Sequence, residues 1–141
     1  RNNFEGDAAC VALCVALTAG KARSLKVLDL SSNGFGADGA AALAKMLVDL
    51  KPPLVELLLG DARLGPTGVG SIADALKKSP IPSLTSIDLF ATQPGAAGAE
   101  AVTTLLTVVP IASMGLQQCA IGPEGADALG DCLKVRPALV H

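Results

Sequence analysis

Tryptophan and tyrosine are absent from this sequence, and three phenylalanines supply all of its aromatic content in 141 residues. Hydrophobic residues nevertheless make up 50% of the chain. A core almost without rings has to be assembled from Leu, Val, Ile and Ala in narrow layers, with backbones held close together. A chain of this length forms one domain that buries roughly two thirds of its unfolded surface.

An excess of charge of either sign is also missing. Eleven basic residues against thirteen acidic ones leave a net charge of -2, which lacks the basic footprint of a nucleic-acid-binding domain. No apolar run reaches the roughly 20 residues of a membrane span; the longest, AACVALCVALTA at 8–19, is diluted by Ala, Cys and Thr. The N-terminus has no basic start followed by an apolar stretch and a cleavage pattern, so a signal peptide is not expected. Nucleic-acid partners and membrane insertion are therefore not expected.

Cysteines are few. Cys10, Cys14, Cys119 and Cys132 are too sparse and too unevenly placed for the disulfide framework of a small secreted domain. Asn2, Asn3 and Asn33 are followed two positions later by Phe4, Glu5 and Phe35, so none starts an Asn-x-Ser/Thr glycosylation site. Both observations point to a reducing intracellular setting, the cytoplasm. The mean hydropathy of +0.50 suits a protein that is buried in a complex.

What the chain does have is a repeat. Leu25-x-x-Leu28-x-Leu30 returns as Leu54-x-x-Leu57-x-Leu59, Leu84-x-x-Ile87-x-Leu89 and Ile111-x-x-Met114-x-Leu116, with starts 29, 30 and 27 residues apart. Six residues beyond the last apolar position of each stretch stands a glycine: Gly36, Gly65, Gly95 and Gly122. Three further on stands another: Gly39, Gly68, Gly98 and Gly125. Apolar residues follow at helical spacing: Leu43 and Leu47, Ile72 and Leu76, Val102 and Leu106, Leu129 and Leu133. Positions four apart lie on one helical face. Each unit thus predicts a short strand, a turn in which glycines permit tight backbone geometry, and an amphipathic helix. One unit cannot bury its own apolar face, whereas a stack of parallel units can.

This pattern, clearest in LKVLDLSSNGFGADGAAALAKML at 25–47, resembles the leucine-rich repeat. The similarity is to the long, helix-containing subtype of ribonuclease inhibitor, NOD-like receptors and Ran GTPase-activating protein, and it covers essentially the whole chain. It implies an α/β solenoid with parallel strands on the concave face and helices on the convex face. It also implies an Asn or Cys closing each strand. Those positions are Asn33, Ala62, Thr92 and Cys119, of which Asn33 and Cys119 match; the Ala62 and Thr92 turns are expected to be satisfied differently, by water.

The expected organisation is a single array over 1–141: a partial repeat at 1–23, repeats at 24–52, 53–82, 83–109 and 110–136, and the start of another at 137–141. In the partial repeat Asn3 takes the ladder position, Gly6 the first glycine, and Leu13 and Leu17 the helix face. Solenoids carry polar caps, and neither end reads as one, so the expectation is a piece of a longer protein.

Candidate chemistry is sparse. GPTGVGS at 65–71 lies between a strand and a helix, but a P-loop needs Lys and then Ser or Thr after its last glycine, and Ser71 directly follows Gly70. Gly65 and Gly68 are better read as register glycines. Cys10 and Cys14 share a helix face, yet structural zinc needs four converging ligands, and Cys119 and Cys132 belong to distant repeats. His141 is the single histidine and lies at the terminus, which removes the usual base for a Ser or Cys nucleophile. Asp29, Glu56 and Asp88 sit on consecutive strands and offer a carboxylate pair or cation site, but without an apolar enclosure to shift their pKa values they read as recognition charge. The chain is accordingly expected to be no enzyme and to use no cofactor, metal or small-molecule substrate.

Strand alternation sends one set of side chains outward in three rows: Val27, Glu56, Ser86 and Ser113; Asp29, Leu58, Asp88 and Gly115; Ser31, Gly60, Phe90 and Gln117. Leu58 and Phe90 among carboxylates suggest a face for a protein partner with basic and apolar residues. The expected function is non-enzymatic protein binding, as a recognition or scaffold module of a larger intracellular protein or complex. A competing reading docks the Ala-rich helices, such as GAAALA at 39–44 and GAAGAEAV at 95–102, on neighbouring subunits. The resemblance to Ran GTPase-activating protein implies a further alternative, regulation of a GTPase, with Arg63 as the candidate finger.

Overall fold

The computed structural model describes residues 6–135, apart from the side chain of Val135. The ladder position Asn3 and the further repeat expected at 137–141 lie outside the described residues. The elements run α1 (Asp7–Ala19), β1 (Val27–Asp29), α2 (Ala37–Leu50), β2 (Glu56–Leu58), α3 (Gly65–Lys78), β3 (Ser86–Asp88), a 3-10 turn (Ala96–Gly98), α4 (Ala99–Val108), β4 (Ser113–Gly115) and α5 (Gly122–Val135). The four strands form one parallel sheet in chain order, and each helix packs against the next. Strand and helix alternate as the repeat predicts.

The register reproduces the predicted rows. Val27 pairs with Glu56, Glu56 with Ser86 and Ser86 with Ser113, while Leu28, Leu57, Ile87 and Met114 are paired in the row beneath. Leu57 and Ile87 are fully buried, and Met114 on the edge strand is only partly so. The core between sheet and helices is aliphatic: Leu43, Leu47, Leu54, Leu59, Ile72, Leu76, Leu84, Leu89 and Val102 are sealed from solvent. Among the described residues Phe35 alone contributes a buried ring.

The backbone ladder continues past each strand. Leu30, Leu59 and Leu89 donate N–H bonds to Leu58, Asp88 and Gly115 at 2.8–2.9 Å, and two residues later Ser32, Asp61 and Ala91 donate to Gly60, Phe90 and Gln117. Those later donors, with Gln118 in the last repeat, share positive φ values of 54–60°, a conformation that side chains other than Gly seldom adopt. The common hydrogen bonds impose it on Ser32, Asp61 and Ala91, three different residue types.

The two glycine registers do different work. Gly6, Gly65, Gly95 and Gly122 take positive φ, as expected, but Gly36 does not; its φ is -114°. Its N–H is drawn instead to the Asp7 carboxylate on α1. The second glycines bring helices together. A Cβ on Gly68 would stand 3.2 Å from that of Ala40 on α2, one on Gly125 2.8 Å from that of Ala99 on α4, and one on Gly98 3.4 Å from Pro66 Cα on α3.

Candidate functional site

The outward rows of the sheet occupy one continuous face. Val27 and Phe90 are its exposed apolar residues, at 50% and 38%, and Leu58 between them is half-buried. Asp29, Ser113 and Gln117 are exposed, Ser31, Glu56, Ser86 and Asp88 are partly so, and Gly60 is buried. None of the twelve row positions is basic.

The strands hold these carboxylates in fixed orientations. Asp29 Oδ1 accepts the Ser31 N–H at 3.0 Å, and Asp88 Oδ1 accepts the Phe90 N–H at 2.9 Å, the local bond of an Asx turn. Asp88 also depends on its flanking glycines. A Cβ at Gly115 would lie 2.2 Å from Asp88 Oδ1 and one at Gly60 3.0 Å from Oδ2, so the carboxylate lies across space that any other residue would fill.

Asp29 and Asp88 share a row but are separated by β2, which places their strands about 9.5 Å apart. That is too wide for a carboxylate pair sharing a proton or a small ion. Among the described residues no three His, Cys, Asp or Glu side chains gather as a metal site. The GPTGVGS segment is the first half of α3, with Pro66 in its first turn; it forms no phosphate-cradling loop. Arg63 lies exposed before α3 and its N–H is bonded to Phe35 O. No helix among the described residues is long and apolar enough to cross a membrane.

A leucine-rich-repeat family model matches residues 21–44. Ribonuclease inhibitor of Mus musculus is 36% identical over 114 residues, 81% of this chain. The chain is a ribonuclease-inhibitor-like leucine-rich-repeat protein. It spans about a quarter of that relative's length, 24%. Among solved structures, Leiomodin-1 Actin-Binding Site 2 superposes with a TM-score of 0.69 over 91% of this chain and 72% of that one; at 18% identity the likeness is one of fold.

In this leucine-rich-repeat protein the strand-closing positions are filled four ways. Cys119 donates its thiol to Leu89 O at 3.0 Å, and burial pushes that thiol's pKa up. The Thr92 hydroxyl donates to the same Leu89 O at 2.8 Å, so this turn is closed by its own side chain. At Ala62 the backbone suffices, through its N–H to Leu59 O at 3.2 Å. Asn33 is buried, yet its Oδ1 meets no partner among the described residues, so this atom does not make the turn contact its residue type implied.

Cys10 and Cys14 are buried between α1 and α2, with Cys10 Sγ donating to Gly39 O at 3.5 Å. The neighbouring Cys14 thiol and burial push Cys10 well above the ordinary thiol range. The thiol is held protonated as a small core group.

Proposed function

We propose that this leucine-rich-repeat protein is a non-enzymatic interaction module that receives a protein partner on its sheet face, within a larger intracellular protein or complex. The observation that carries the reading is the composition of that face. Its twelve row positions hold three carboxylates and no cation, around the apolar residues Val27, Leu58 and Phe90. An acidic rim around an apolar centre suits a partner segment with Lys or Arg flanking aliphatic or aromatic anchors, since complementary charge steers association and buried anchors supply most of the affinity. The names of the relatives support a protein as the partner class: one is an inhibitor of ribonuclease and the other an actin-binding site.

Cross-linking mass spectrometry on the native complex tests the surface first. Cross-links from Lys26, beside β1, are expected; cross-links confined to Lys45, Lys77 and Lys78 on the helices would move the docking surface there. With the partner so identified, a Leu58→Glu, Phe90→Glu double variant is expected to lose affinity by about tenfold or more, as for two central anchors. Unchanged affinity would refute the sheet-face reading.

A further inference from the structure

The helix side of the array has four seams between neighbouring helices, α1/α2, α2/α3, α3/α4 and α4/α5, and the first differs from the next two. The α2/α3 seam is lined by Lys45, Asp49, Asp74 and Lys78, and the α3/α4 seam by Asp74, Lys77 and Glu100. The α1/α2 seam is an apolar groove of about 390 Å³, walled by Val11, Val15, Ala42 and Met46 with Lys45 and Asp49 at one rim. Val15 stands beside it 62% exposed and Val11 38%. Between Asp7 and Lys21 α1 carries no charge at all, and a helix that is apolar all round is a buried helix.

Such a groove lacks the convergent polar groups that fix a small ligand's orientation. It is open along two helical turns and takes a ridge of side chains. The same surface supplies that ridge, because Val15 projects next to the groove. Its charges are also self-complementary. Lys45 and Asp49 lie one turn apart on α2 and form an exposed ion pair. A two-fold axis through α2 between them sets each Lys45 against the second copy's Asp49. Exchanging an exposed pair for its symmetric equivalent costs little, since such pairs are weak in the isolated chain.

We infer that the α1/α2 groove is an interface between two copies of this chain, with Val15 of each seated in the groove of the other and Lys45 facing Asp49 across the two-fold axis. This is an isologous contact, in which a patch meets itself. It leaves the sheet face free and is independent of what binds there.

Sedimentation of the chain from about 5 to 500 µM covers the affinity expected of a patch at the low end of specific interfaces. A monomer–dimer equilibrium is expected. Val15→Glu, at an exposed position that leaves the circular dichroism spectrum unchanged, is expected to weaken it at least tenfold. Lys45→Glu alone should also weaken the dimer by setting two carboxylates together, and Lys45→Glu, Asp49→Lys should restore it. A monomer throughout, or a dimer indifferent to both Val15→Glu and Lys45→Glu, overturns the inference.

Discussion

The first helix junction and those that follow it use one repeat in two ways. At α1/α2 the helices are joined by polar contacts: Asp7 Oδ1 accepts the N–H groups of Gly36 and Gly39, and Cys10 donates to Gly39 O. The seam outside is carbon-lined. At α2/α3 the contact is carbon on carbon, Gly68 against Ala40, the start of α3 has no side-chain cap, and the seam outside is charged. Beneath both, the aliphatic layer is the same. Stacking therefore rests on the leucine positions and the second glycine, and the chemistry of each seam is free to vary with what lies outside it.

The shared core provides the largest test. Leu47 and Leu76 hold the same place in successive repeats, and both are fully buried. Replacing either by Ala should cost about 2–5 kcal/mol from lost burial and the cavity left behind, read as a lower urea midpoint. Near-equal losses would establish that the two junctions share one core. A loss at Leu47 well below that at Leu76 would break the comparison and mark the first junction as loosely packed.

The glycines come next. Gly98→Ala sets a Cβ 2.5 Å from that of Pro94, a rigid ring that cannot swing away, and should destabilise by about 1–3 kcal/mol through overpacking. Gly70, inside α3, has nothing within 4 Å of an added Cβ. Gly70→Ala should instead stabilise by up to about 1 kcal/mol, because it gains helix propensity without a clash. Opposite signs in thermal melts would separate register glycines from incidental ones; like signs would remove close approach as the reason for the second glycine.

Much of this was legible in the chain. The alternation at Val27–Leu30 and the i, i+4 pairs such as Leu43 and Leu47 fixed which residues face the core, because strand and helix periods are local properties. The three outward rows follow from the same alternation, and the two that lie within the strands, from Val27 to Ser113 and from Asp29 to Gly115, reappear as the strand register. Other features depend on contacts about a repeat away, where local pattern is silent. The left-handed residues Ser32, Asp61, Ala91 and Gln118 share no chemistry; the neighbouring repeat's carbonyls impose their conformation on the first three. Gly36 departs from its register mates because of Asp7, 29 residues away. The bare seam at Val11 and Val15 was hidden because α1 is apolar on every face, so composition could not tell its covered side from its open one. The sheet face shows the same boundary: its positions were legible, but the dependence of Asp88 on Gly60 and Gly115 required the neighbouring strands in place.

The smallest effect carries the most specific argument. α2 cannot cap itself, since its N-cap residue is Gly36 and has no side chain. In a capping box, side chains of the helix's own first turn satisfy the N-cap and N3 amides. Here a single carboxylate on the preceding helix takes both, at 2.8 Å to Gly36 and 2.6 Å to Gly39. The start of α2 is thereby coupled to the presence of α1, as a nearest-neighbour term between repeats. Asp7→Ala should cost about 1–2 kcal/mol, the range for a lost N-cap, and should speed hydrogen exchange at the Gly36 and Gly39 amides selectively. Asp7→Asn, which keeps an acceptor oxygen, should retain most of the protection. If exchange instead rises evenly along α2 in both variants, Asp7 acts through packing of α1 and the polar stitch is incidental to the junction.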